Sequence, residues 1–129
     1  MRAALILAAL TWLGSCRDET VTAYGGDVAI WRLESVDGTP YSARATLGFA
    51  QEGKLTGEAP CNSFSGTQTA PYPWFAAKDL ITTRRTCPDL AAETLFFSAL
   101  AEMTLVEVAG EVLILSNDLG REMVFHAGA

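Results

Sequence analysis

The three cysteines constrain this chain more than any other feature of its sequence. Cys16 ends an apolar run near the amino terminus, whereas Cys61 and Cys87 lie 26 residues apart in the mixed polar and apolar sequence that follows. A covalent bond between two cysteines removes much of the freedom of the unfolded chain and fixes which segments must meet. The chemical role of each cysteine therefore decides much of what the chain can fold into.

Residues 1–15 have the features of a secretory signal peptide. Arg2 gives a positive charge, the apolar run AALILAALTWL follows, and the segment LGSC, which ends at Cys16, is similar to the bacterial lipobox. A permanent membrane helix needs roughly 20 apolar residues, more than this run offers. We therefore expect residues 1–15 to be removed and Cys16 to be lipidated, which anchors the mature chain in a membrane. An ordinary signal peptide or an amino-terminal helix is the alternative.

Residues 16–27 are predicted to form a flexible tether between this anchor and a folded domain. They are mostly polar and carry a glycine pair close to their end. Arg17 stands where enterobacterial lipoproteins of the inner membrane carry an aspartate, which favours the outer membrane. The predicted location is the bacterial cell envelope, with the protein facing the periplasm.

Export and lipidation leave two cysteines in an oxidising compartment. Cys61 and Cys87 are therefore predicted to form a disulfide. Closing a loop of this length stabilises a domain by roughly 3 to 4 kcal/mol in the chain-entropy model. For a small domain, this is a large share of the total stability.

Catalytic and metal-binding roles for Cys61 lack the partners that they need. The chain has one histidine and no CxxC or HxxxH spacing, so a metal site is not expected. A Cys/His pair with His126 is the remaining catalytic alternative, but that histidine lies at the end of the last predicted strand. We expect no enzymatic activity, no catalytic residue and no cofactor.

Length and charge narrow the other possibilities. A chain of 129 residues with 50% hydrophobic composition can build the core of one domain. Its net charge of -6 and its pI of 4.6 make it acidic, and an acidic surface repels phosphate backbones. No basic cluster is larger than the Arg84-Arg85 pair, so no nucleic-acid partner is expected.

Hydrophobic periodicity predicts strands and one helix. The segment VAIWRLESV alternates, which places Ala29, Trp31, Leu33 and Ser35 on one face of a strand. After Pro88, Asp89 is a candidate N-cap, and apolar residues recur at helical spacing. Three further strands are predicted after the helix, in the segments TLVEVAG, EVLILSND and GREMVFH. The apolar residues of the predicted helix are Phe96, Phe97, Leu100 and Met103.

Two segments are candidates for binding. Asn62, Ser63 and Ser65 follow Cys61, and their small polar side chains suit a tight loop that could contact a ligand. The aromatic residues of the segment APYPWF either form an exposed patch or fold over an open end of the sheet as part of the core. These aromatic residues are Tyr72, Trp74 and Phe75.

An ordered set of residues between Val28 and His126 resembles the META domain family, which includes the heat-inducible HslJ lipoproteins. The pair Cys61-Asn62 and the tryptophan of the first strand are its most specific members. The full set is Trp31, Leu33, Gly38, Pro40, Leu47, Phe49, Gly53, Gly57, Cys61, Asn62, Phe64, Gly66, Thr83 or Thr86, Cys87, Glu93, Phe97, Leu113, Leu115, Gly120 and Phe125.

The resemblance implies an α+β domain over residues 28–127, in which a curved, barrel-like antiparallel sheet packs on one α-helix. It also implies a role in envelope stress and antibiotic tolerance, and it supplies no catalytic residues. We therefore expect a lipid-anchored envelope protein that binds a protein or an envelope component. A periplasmic inhibitor of lysozyme or of a protease is the alternative, because an acidic domain suits a basic enzyme.

Overall fold

The computed structural model describes residues 17–128. The predicted signal peptide, residues 1–15, and the predicted lipidation site, Cys16, lie outside the described residues. Within the described range, no helix has the length and apolar character that a membrane crossing requires.

Nine strands form one antiparallel sheet that curls into a half-barrel, and one α-helix packs on it within the described residues. The order across the sheet is β6-β5-β4-β3-β1-β9-β8-β7, and β2 pairs with β1 outside this path. This arrangement confirms the predicted α+β class with a curved sheet. The elements are β1 Ile30–Val36, β2 Thr39–Pro40, β3 Thr46–Gly48, β4 Gly53–Glu58, β5 Ser63–Gln68, β6 Lys78–Thr82, α1 Leu90–Glu102, β7 Leu105–Ala109, β8 Val112–Ser116 and β9 Glu122–Ala127.

Strand β1 shows how the alternating sequence fills the core and where the alternation stops. Trp31 and Leu33 are buried as predicted, but Ser35 is only partly buried and Val36 takes the inward position after it. The reason is a shift in the β1–β9 register between Leu33 and Ser35. β1 has one extra residue there, so each later side chain of the strand points to the opposite face of the sheet. The prediction for Ser35 was therefore wrong.

Helix α1 lies across one end of the half-barrel, which we call the helix end. Its buried face includes Phe96, Ala99 and Leu100, the helical spacing that the sequence predicts. The ring of Phe64, at the start of β5, lies 5.6 Å from the ring of Phe96, measured between centroids. The helix ends at Glu102, where the chain turns extended at Met103 and enters β7.

A detour between β5 and β6 reaches across to the opposite edge of the sheet. The N–H of Phe75 donates to the carbonyl of Thr104 at 2.9 Å, and the N–H of Val106 donates to the carbonyl of Pro73 at 2.8 Å. These bonds pair the detour with the edge of β7. As a result Phe75 is buried in the core, while Trp74 stays 57% exposed. The core alternative for the aromatic segment therefore holds for Phe75, Tyr72 is partly buried against the core, and Trp74 alone of the three is exposed.

The amino-terminal segment packs on the other end of the half-barrel, which we call the amino-terminal end. Val21 is fully buried in the core, within the first of two short 3-10 turns, Val21–Tyr24 and Gly26–Val28. The indole Nε1 of Trp31 donates to the carbonyl of Gly26 at 2.8 Å. The predicted flexible tether is therefore wrong for residues 20–27, because an apolar side chain and a buried indole hold them on the sheet.

Candidate binding surfaces

The predicted loop around Asn62 is a turn followed by a strand. Ser63 and Ser65 lie on β5 with exposed side chains, and Phe64 between them points into the core. Gly66 permits close approach to β6 rather than a turn, because a Cβ atom there would lie 2.6 Å from Leu80 Cδ2. The loop prediction was wrong for the two serines, since the short alternation around Phe64 is a strand pattern.

The side chain of Asn62 is buried and uses all of its hydrogen-bonding capacity. Its Nδ2 donates to the carbonyl of Arg85 at 3.0 Å and to Glu93 Oε2 at 2.8 Å. Its Oδ1 accepts from the N–H of Arg85 at 2.6 Å and from Thr83 Oγ1 at 3.0 Å. The amide therefore joins β5, the segment before α1 and the helix itself, and it has no group left for a ligand.

Glu93 completes this corner from the first turn of α1. Its carboxylate is buried, and Oε1 accepts from the N–H of Cys61 at 3.1 Å while Oε2 accepts from Asn62. Two hydrogen bonds and the positive end of the helix dipole offset the free-energy cost of burying the carboxylate of Glu93. The sequence placed Glu93 in the first turn and in the family pattern, but no local signal indicated its contact with Asn62.

A disulfide joins Cys61 to Cys87 beside this network, the pair that the cysteine count predicts, with the Cα atoms 5.5 Å apart. We call Cys61, Asn62, Cys87 and Glu93 the stapled corner. The chain segment before α1 is thus tied to the β4–β5 turn both covalently and through the amide of Asn62. The stapled corner is a structural device that fixes where α1 begins.

Two hollows lie on either side of Tyr41, and together we call them the Tyr41 groove. One hollow, of about 700 Å³, lies over the outer face of β1 and β9. A second, of about 330 Å³, lies between the β2–β3 connection and α1. Both hollows are lined by Pro40 and Tyr41; the first adds Arg32, Glu34 and His126, and the second adds Asp37, Leu95 and Arg121.

Tyr41 forms the ridge between the two hollows and is fixed to the helix. Its hydroxyl donates to the carbonyl of Ala92 at 2.8 Å. Burial, followed by the charges of Glu93 and Asp89, raises the pKa of Tyr41 to about 12. The phenol therefore stays protonated at neutral pH and acts as a hydrogen-bond donor rather than as an acid or base.

A charged cluster borders the smaller hollow. Arg121 donates from Nε and Nη2 to Asp37 Oδ2, at 3.1 and 3.0 Å, and its Nη1 bonds to Glu102 at the end of α1. The N–H of Glu122 donates to Asp37 Oδ1 at 3.0 Å. This backbone bond first, and the Arg121 guanidinium next, lower the pKa of Asp37 from its ordinary value of 3.8. The cluster presents fixed charges of both signs beside apolar Leu95.

His126 lies on β9 at the larger hollow, where its Nε2 is 3.4 Å from Glu34 Oε2. Cys61 is part of the disulfide at the stapled corner, so the structure does not bring a free thiol to this imidazole. Within residues 17–128, no group of three or more His, Cys, Asp or Glu side chains is arranged to hold a metal ion.

Comparisons with known proteins agree with this architecture. The sequence pattern of the META domain matches residues 27–129. An NMR structure of a protein from Burkholderia xenovorans is similar over 89% of this chain and 93% of that chain, with a TM-score of 0.64 and 22% identity. A second NMR structure covers 77% and 88% of the two chains, with a TM-score of 0.60 and 24% identity.

A crystal structure of a DUF4847 family protein from Bacteroides vulgatus is also similar, over 65% of this chain and 59% of that chain, with a TM-score of 0.53 and 20% identity. No curated protein matches the sequence. The solved structures, at these identities, support the fold alone. The family pattern covers most of the chain, including the stapled corner and the Tyr41 groove, and the chain therefore belongs to the META domain family.

Proposed function

We propose that this META domain protein is a lipid-anchored component of the bacterial cell envelope that binds an envelope protein or component without catalysis. The lipobox-like segment that ends at Cys16 supports the anchor, and the Cys61–Cys87 disulfide is in keeping with an exported protein. Arg17 after the cysteine favours the outer membrane, with the domain in the periplasm. The family suggests that binding serves envelope stress and antibiotic tolerance.

The Tyr41 groove is the observation that carries the binding proposal. It combines an apolar strip, formed by Pro40 and Leu95, with fixed charges at Asp37 and Arg121. Such a mixture, concave and with its polar groups held in place, is typical of protein recognition sites. The polar groups of the stapled corner, by contrast, are already bonded to one another. We therefore place the partner at the Tyr41 groove rather than at Asn62.

The binding site can be tested in cells with a photoreactive amino acid. One variant carries it at Leu95, inside the groove, and a matched variant carries it at Leu119, which is also exposed but lies in the β8–β9 turn outside the groove. We expect irradiation of heat-stressed cells to give a discrete cross-linked product from position 95 only. Products of the same mass and yield from both positions, or from neither, contradict the groove as the binding site.

The anchor needs a separate test. We expect the intact mass of the protein, purified from membranes, to include acyl chains on Cys16, and we expect a Cys16→Ala variant to leave the membrane fraction. Alkylation before and after reduction reports on Cys61 and Cys87 in the same sample. An unacylated terminus on protein from the membrane fraction contradicts the lipid anchor and leaves the groove experiment valid.

A further inference from the structure

The folded part of the chain begins very close to the predicted lipidation site. Asp18 Oδ1 accepts hydrogen bonds from the N–H of Thr20 at 2.8 Å and from its hydroxyl at 2.6 Å. The carbonyl of Glu19 accepts from the N–H of Tyr72 at 2.6 Å. The backbone is therefore fixed to the rest of the domain from Glu19 onward, and Val21 is already in the core.

Because the folded part begins at Glu19, the distance between the domain and a bilayer that holds Cys16 is short. Glu19, whose carbonyl is fixed, is the third residue after Cys16, and an extended chain of three residues spans about 10 Å. A long flexible tether would let the domain turn freely, but a spacer of this length holds the amino-terminal end near the lipid headgroups. This step rests on the lipid anchor of the proposed function.

The same end of the molecule exposes two large apolar side chains. Tyr24 is 52% exposed and Val28 is 70% exposed, each at the end of one 3-10 turn, whereas Ile30, 51% exposed, faces the outer side of β1 beside β3 and β4. The ring of Tyr24 stacks on that of Tyr72 with centroids 4.5 Å apart, so it is held rigidly in its exposed position. Tyrosine suits the membrane interface because its ring is apolar and its hydroxyl is polar.

Exposed apolar side chains alone do not show which end faces the membrane, because Leu119 at the helix end is also exposed, by 88%, on the turn between β8 and β9. The short chain between Cys16 and Glu19 decides between the two ends, because it brings only the amino-terminal end close to the bilayer. In the same segment Glu19 and Asp27 are exposed against one exposed cation, Arg17, so a strongly anionic lipid surface is disfavoured. A zwitterionic lipid surface fits both the apolar side chains and these charges.

We infer that the amino-terminal end docks on a zwitterionic bilayer surface, with Tyr24 and Val28 in the interfacial region. The helix end, with α1 and the smaller hollow of the Tyr41 groove, then points away from the membrane. The anchor sets the orientation of the domain as well as its location. A partner would therefore approach the smaller hollow from the side opposite to the membrane.

The test supplies the anchor chemically, so that it does not depend on lipidation in the cell. The chain from Cys16 onward is coupled through this thiol to a maleimide phospholipid in phosphatidylcholine vesicles that contain brominated lipid, which quenches tryptophan at short range. Cys61 and Cys87 do not react because they form the disulfide. The reporter is Val28→Trp in a Trp74→Phe background, and the matched control is Leu119→Trp in the same background. The Trp74→Phe variant without a reporter gives the fluorescence of Trp31, which is subtracted from that of each reporter variant.

We expect brominated lipid to quench the reporter at position 28 severalfold more than the reporter at position 119. Inserting a long glycine-serine spacer between Arg17 and Asp18 should remove most of this difference. Equal quenching at both positions, or no quenching at position 28, overturns the proposed docking. Circular dichroism of each variant confirms that it is folded before coupling. Absence of acyl chains on Cys16 in cells would contradict the proposed anchor and leave this docking result unchanged.

Discussion

The two ends of the half-barrel are closed in different ways. At the helix end, α1 contacts β5 through Phe96 and the β2–β3 connection through Tyr41, and the stapled corner fixes where the helix begins. At the amino-terminal end, two short turns close the sheet with the side chain of Val21 and the indole hydrogen bond to Gly26, and contacts of Glu19 and Tyr24 with Tyr72 hold the segment in place. One sheet can therefore be closed by an α-helix at one end and by a short segment of two 3-10 turns at the other.

The two ends should also differ in the free energy that is needed to open them locally. The helix end combines a large apolar contact, a covalent link and a saturated network of buried hydrogen bonds. The amino-terminal end depends on the contacts of a short segment whose secondary structure is limited to two 3-10 turns. Regions with fewer buried apolar contacts open at lower free energy, so the amino-terminal end should open before the helix end.

The largest effect is expected from removing the aromatic contact at the helix end. Phe96 is fully buried, so Phe96→Ala should lower the free energy of unfolding by about 3 to 5 kcal/mol. Leu95→Ala is the matched control, since Leu95 is its half-exposed neighbour on α1. Denaturant unfolding measures both variants. A loss of similar size in the two would mean that α1 does not close this end as described.

The second effect concerns the covalent link at the same end. Replacing Cys61 and Cys87 by serine opens a loop of 26 residues and should lower the free energy of unfolding by roughly 3 to 4 kcal/mol. Hydrogen exchange should rise first around β5, β6 and the start of α1. A reducing agent should destabilise the original chain and leave the serine variant unchanged. Unchanged stability of the original chain under reduction contradicts a structural disulfide.

The third prediction separates a packed amino-terminal segment from a flexible tether. Val21→Ala removes two buried methyl groups and should lower the free energy of unfolding by about 2 kcal/mol. Val28→Ala, in the same segment but exposed, should change it by less than about 0.5 kcal/mol. Thermal or denaturant unfolding compares the pair. Equal and negligible changes would mean that residues 20–27 are a flexible tether and do not close this end of the sheet.

The smallest effect is a pH dependence at the helix end. The backbone N–H of Glu122 and the side chain of Arg121 lower the pKa of Asp37 in the folded state, so its contribution to stability is present above the ordinary value of 3.8 and is lost as the pH falls through the lowered pKa. Asp37→Asn should therefore be less stable than the original chain at neutral pH and equal to it in strong acid. A constant difference across this range contradicts the sign of the shift.

Much of the fold could be predicted from the sequence because its signals are local. The alternation around Trp31 and the helical spacing of Phe96 and Leu100 depend on residues within a few positions of one another. The prediction failed at Ser35, where a register shift against β9 moved Val36 inward. It also failed at Ser63 and Ser65, where polar residues that suit a loop lie on the exposed face of a strand.

The candidate site could be predicted only in part, since its parts are distant in sequence. The sequence indicated Asn62 as a candidate ligand-binding residue, whereas the structure bonds its amide to Glu93, which lies 31 residues later. The ridge of the Tyr41 groove depends on a hydrogen bond to Ala92, 51 residues away. No local pattern reports such a contact, so sequence reasoning did not find the groove.

The sequence by itself determined the first strand, the helix, the three strands after it and the pairing of the two cysteines inside the domain, because periodicity and cysteine count are properties of the chain alone. Only the tertiary structure decided that residues 20–27 pack on the sheet, that Asn62 is buried and that a groove forms beside Tyr41. The physical reason is that burial of Val21 and satisfaction of the Asn62 amide depend on which distant segments the curved sheet brings together.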